Sequence, residues 1–164
     1  NDRIAIKNLT HLFLNKKLEN KLIEPFLCDS YRDLLRNYYE LKQFSQAEEI
    51  SLEVERLCLD NSTLPDWAGV YSGLAANVLA AGNPDHAMFF CEKGLKICSS
   101  FPEASESQAI RGVLTWTKAK IFHRKNEFTL AIQTGRHAHD ILKDSIYRHL
   151  APKILKTVEG WKNR

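Results

Sequence analysis

One short pattern occurs three times along the chain, and it dictates most of what the chain can become. The copies are Tyr31-x-x-Leu34-Leu35-x-x-Tyr38, Tyr71-x-x-Leu74-Ala75-x-x-Val78 and Thr115-x-x-Lys118-Ala119-x-x-Phe122, followed at the same offset by Ala47, Ala87 and Ala131. Positions i, i+3, i+4 and i+7 share one face of an α-helix, whereas a strand would alternate every second residue. The trailing alanine falls in a second segment of the same period, so each copy specifies two helices joined by a tight turn. A pair of helices cannot bury its apolar faces alone, and repeated pairs must stack.

Capping signals divide the chain into units at 1–28, 29–62, 63–101, 102–143 and 144–164. In the first, Ile4, Ile6, Leu9, Leu12 and Phe13, then Leu18, Leu22, Ile23, Phe26 and Leu27, recur at helical spacing, and Pro25 is expected to kink or end the second helix. The first full repeat is predicted as a helix over 29–41, a turn at 42–44 and a second helix from Ser45. There Ser45-x-x-Glu48 has the form of a capping box. Thr63-x-x-Asp66 and Ser105-x-x-Gln108 offer the same kind of start for the next two units, and Asn83-Pro84 places a cap before a proline at the first helical position. A last copy, Tyr147-x-x-Leu150-Ala151-x-x-Ile154, is expected to form a closing helix; its tail, 159–164, is polar apart from Trp161.

These residues resemble the tetratricopeptide repeat family over about 29–158. The small residues where two helices of a unit cross carry the match: Ala75 with Ala87 and Ala119 with Ala131. Leu35 and Lys118 depart from the family pattern, as do Ser51 and Gly135 where it has an aromatic. The copies start 40, 44 and 32 residues apart, against about 34 in the standard unit. Lengthened units of this kind are similar to those in the sensory portions of bacterial regulators. The resemblance implies an all-α fold, a right-handed α-α superhelix of about seven or eight helices.

It also implies a ligand face, because in this family the first helix of each unit lines a concave groove that holds peptides. Carried onto this chain, the groove positions are Asp29, Arg32, Arg36 and Tyr39, then Ser72, Ala76 and Leu79, then Trp116, Lys120, His123 and Arg124. Arginine grips a carboxylate through paired hydrogen bonds and lysine supplies a point charge, so the expected ligand is a protein or peptide with acidic or carboxylate-bearing groups. The bland reading is that the cations keep a helix face wet and that Trp116 is core.

The remaining composition narrows the class. A formal charge of +3 does not call for a nucleic-acid partner, but residues 29–60 hold four Lys or Arg against eight Asp or Glu, while 102–164 hold twelve against six. An acidic and a basic end could meet head to tail, so a homo-oligomer is possible. The uncharged stretch 67–81 is too short to span a bilayer and is read as a buried helix. Cys28, Cys58, Cys91 and Cys98 lack metal or redox spacing and read as core thiols, which points to the cytoplasm. His137 and His139 diverge on a helix, no phosphate loop or nucleophile motif occurs, and neither a cofactor nor a metal is expected. The chain opens on Asn1, as a segment of a longer protein would. The expected function is therefore non-enzymatic peptide binding, with a sensory or oligomerisation domain of a larger signalling protein as the alternative.

Overall fold

Three turns share one backbone conformation. Lys42, Gly82 and Asn126 have φ of 57°, 97° and 62°, and the residue after each donates its amide five residues back: Gln43 to Tyr38 at 2.8 Å, Asn83 to Val78 at 3.1 Å and Glu127 to Phe122 at 2.9 Å. This bond around a left-handed residue is the Schellman arrangement, which satisfies a carbonyl the helix end would leave free. The three acceptors are the last residues of the three motif copies, so the backbone repeats in step with the sequence. Glycine adopts the conformation freely at position 82, whereas Lys42 and Asn126 hold it with a Cβ in place.

The computed structural model describes residues 2–15, 20–58 and 65–162. Among them the chain is helical: α1 (Asp2–Asn15), α2 (Asn20–Glu40), α3 (Phe44–Cys58), α4 (Asp66–Ala81), α5 (Pro84–Ser100), α6 (Ser105–Arg124), α7 (Phe128–Leu142), a 3₁₀ turn at Arg148–Leu150, and α8 (Ala151–Trp161). Successive helices pack on one another, and the first helices of the repeats also pack together, α2 on α4 and α4 on α6. The motif residues fill the space between them. Tyr31, Leu35, Leu74, Ala75, Val78 and Ala119 are buried, as are Ala47, Ala87 and Ala131 on the second helices.

Several helix starts differ from the sequence expectation. The helix expected from Asp29 begins at Asn20 and runs through Pro25. The proline is only the sixth residue, where one early hydrogen bond is lost, and the buried Leu27, Cys28 and Tyr31 carry one stripe across the join. Ile4 and Phe26, counted with the apolar faces, are exposed. The side chains of Leu9, Leu12, Phe13, Leu18, Leu22, Ile23, Glu48, Ser51 and Cys58, and all of Thr63, lie outside the described residues.

Helix α3 starts at Phe44, and the Ser45 hydroxyl donates to the Gln46 side chain at 3.4 Å. In α6 the cap position is Ala104, which gives no side-chain bond; Gln108 instead turns its amide to the Pro102 carbonyl at 3.2 Å. Asn83 does cap α5, its Oδ1 accepting from the His86 amide at 3.1 Å, with Pro84 leading the helix. Tyr147 and Leu150, expected inside the last helix, precede it, because Pro152 lacks an amide and suits the first turn.

The two departures from the repeat pattern that fall within α6 and α7 have local reasons. A Cβ on Gly135 would lie 2.4 Å from Val158 Cγ2, so the glycine is what admits α8 to the surface of α7. The Lys118 ammonium lies 5.8 Å from the Phe122 ring centroid and 4.0 Å from Glu92, so its charge is met by a ring face and a carboxylate rather than buried.

Candidate functional site

The eleven expected groove residues stand on α2, α4 and α6, and all but Asp29 and Trp116 line three adjoining hollows. The first, about 280 Å³, lies between Arg32, Ser72 and Ile110 on the helices and Tyr147, His149 and Leu150 of the connection before α8. The second shares Arg32 and Tyr147 with it and adds Arg36, Tyr39 and Ala76. The third, about 190 Å³, shares Tyr39 and Ala76 and continues to Leu79, Lys120, His123 and Arg124, where Trp161 closes it. Gly69, Gly73 and Ala76 make the middle floor shallow-walled, because side chains there are small or absent.

The four cationic residues are not equivalent. Arg32 Nη1 lies 3.2 Å from Glu106 and 3.4 Å from Asp29, and Arg36 is bonded to Asp33 one turn away. Both charges are answered within the chain. Among the described residues neither Lys120 nor Arg124 forms such an ion pair, and no carboxylate lines the third hollow. The Lys120 ammonium lies over the Trp116 ring, 5.9 Å from its centroid. Burial pushes the Lys120 pKa below its ordinary value, and nearby Arg124 pushes the same way. A half-buried cation without a carboxylate partner is favoured by an anion arriving from outside.

Trp116 is neither simple core nor open groove wall. Its ring stacks on Trp161 at 5.3 Å between centroids and 16° between planes, and His123 stacks on Trp161 at 4.5 Å and 22°. Trp116 and His123 are seven residues apart on α6, about 10.5 Å along the axis. The two stacking distances together span nearly that rise, so the Trp161 indole sits in a slot between them. His123 also meets the edge of Phe128, with centroids 5.4 Å apart.

The C-terminal wall was missed from sequence. Tyr147 and Leu150 match the repeat motif and so read as helix interior, while their place is a 3₁₀ connection crossing the groove. Trp161 did leave a signal: it is the one apolar residue in an otherwise polar tail.

Cys91, on α5 beneath Lys120, is buried with its thiol pushed up to about 12 by burial, against a partial lowering by Lys120 and Lys118. Its Sγ faces the Leu114 carbonyl at 3.8 Å. Cys28 and Cys98 are also buried. Among the described residues no cluster of three His, Cys, Asp or Glu side chains could hold a metal ion, and no helix is long and apolar enough to cross a membrane. No family model, curated protein or solved structure matches the chain.

Proposed function

We propose that this chain is a non-enzymatic peptide-binding module in which α2, α4 and α6 form the inner, ligand-facing layer of a right-handed helical stack of the tetratricopeptide kind. What supports the stack is the threefold repetition of motif, Schellman turn and buried alanine, together with the packing of first helix on first helix. The observation that carries the ligand chemistry is the third hollow, where Lys120 and Arg124 stand among Tyr39, Leu79 and Trp161 with no carboxylate in the lining. Such a site favours an acidic or carboxylate-bearing segment of a protein or peptide. A thiol held protonated beneath it supplies no nucleophile, which suits binding rather than chemistry.

The reading assigns the two pairs of cations different parts. Lys120 and Arg124 meet the ligand charge, while Arg32 and Arg36 hold α2 to its own acidic neighbours. The test is fluorescence polarisation of a labelled Asp/Glu-rich decapeptide against two double variants. Lys120→Glu with Arg124→Glu abolishes binding, and Arg32→Glu with Arg36→Glu weakens it only slightly. Unchanged binding by the first variant would refute the assignment.

A sensory role in a larger signalling protein is the second reading, favoured by the C-terminal segment that walls the groove. A ligand there would touch Tyr147 and Trp161, so occupancy would bias the position of α8.

A further inference from the structure

Trp161 occupies a place that belongs to the groove. It lies in the last turn of α8, where a helix end frays most readily, whereas the seat of that helix is made earlier by Ile154 and Val158 against α7. Its ring rests between Trp116 and His123, both on the ligand-facing helix α6. Beside that slot stand Lys120 and Arg124, for which the described part of the chain supplies no carboxylate. The slot and the cations together would hold an aromatic ring and a negative charge a few ångströms apart, and the chain's own Trp161 supplies only the ring.

We propose that the slot between Trp116 and His123 is the aromatic subsite of the groove, kept closed by Trp161, and that it takes an aromatic side chain of a partner lying next to a carboxylate, which enters as Trp161 swings out. The inference rests on the groove reading above and adds a competitor to it. Ring exchange conserves the stacking contacts, since one aromatic replaces another between the same two faces. The carboxylate is the difference between the two occupants, because only the incoming group neutralises Lys120 and Arg124. Closure by Trp161 lowers apparent affinity by the fraction of molecules in which the slot is open.

The probes are N-acetyltryptophan, which has ring and carboxylate, and N-acetyltryptophanamide, which has the ring alone. They are titrated calorimetrically into the native chain, Trp161→Ala and Trp161→Phe, with helical content checked by circular dichroism. Trp161→Ala is expected to bind the acid about tenfold tighter than the native chain, with Trp161→Phe in between. The acid is expected to bind severalfold tighter than the amide, a preference that Lys120→Ala removes in the Trp161→Ala background. If Trp161→Ala loses its helices, Trp161→Phe alone decides.

Equal affinity of the native chain and the Trp161 variants overturns the proposal, as does equal affinity for acid and amide. Dimerisation of the native chain that Trp161→Ala abolishes would place a second copy's tryptophan in the slot and overturn it too. Decapeptide binding that depends on Lys120 and Arg124, with N-acetyltryptophan affinity equal in the native chain and the Trp161 variants, overturns this inference and leaves the groove reading standing. Loss of that dependence overturns both.

Discussion

The Trp161 indole stacks on Trp116 with ring centroids 5.3 Å apart, joining the last turn of α8 to the middle of α6. The same face of α6 carries Lys120 and His123, so the closing helix and the candidate site are one piece of structure.

That joint depends on Gly135. Replacing it with Ala puts a methyl 2.4 Å from Val158 Cγ2, a methyl of a stiff β-branched side chain. Gly135→Ala is expected to destabilise the chain by about 1–3 kcal/mol. Near-ultraviolet circular dichroism should show the tryptophan stack loosening at temperatures where the far-ultraviolet signal of the other helices persists.

Lys120 is held at a cost to stability. Its folded pKa lies below the unfolded value near 10.5, so below the folded value both states are charged and the folded state bears the desolvation. As pH rises through the folded value the fold sheds that proton and stability is regained. Lys120→Met should therefore raise the melting temperature at pH 7 and raise it less at pH 10. The same variant should lose affinity for the acidic decapeptide, and native binding should weaken as pH rises through the lowered pKa.

Asn77 ties α4 to α2 across the buried layer. Its Nδ2 donates to the Leu35 carbonyl at 3.0 Å and to the Gly73 carbonyl at 2.9 Å. Asn77→Leu removes both bonds and adds bulk between two closely packed helices, and denaturant titration should show a loss of about 1–3 kcal/mol.

Cys91 should resist alkylation. With its thiol pushed up to about 12 and its side chain buried, it holds almost no thiolate at pH 8. Iodoacetamide followed by peptide mass mapping should leave Cys91 unlabelled in the folded chain and labelled in denaturant.

Much of the fold was legible because helix pairing is written in local spacing. The motif residues from Tyr31 to Ala131 set period and crossing, and Asn83-Pro84 announced α5 outright. The turns at Lys42 and Asn126 needed no glycine to repeat the conformation of Gly82, which composition alone does not reveal. The start of α2 was hidden because Pro25 reads as a break, although a proline near a helix start forfeits little. The expected ligand-facing positions came from the resemblance to the repeat family, carried onto three helices. The Arg32–Asp29 and Arg36–Asp33 pairs lie one turn apart on α2 and are legible in the sequence, whereas Arg32 meets Glu106 across 74 positions of chain, and no local pattern reports such a partner. A closing helix was legible at the C-terminus, but the motif match at Tyr147 and Leu150 hid that these two residues precede it and line the first hollow.

The proposed function requires one face of α2, α4 and α6 to receive an acidic ligand. Chemical-shift mapping on ¹⁵N-labelled chain with the Asp/Glu-rich decapeptide tests it most directly. Shifts are expected at the amides of Tyr39, Ala76, Leu79, Lys120 and Arg124 and at the Trp161 indole N–H. Shifts confined to α3, α5 and α7, or none at saturating peptide, would contradict it.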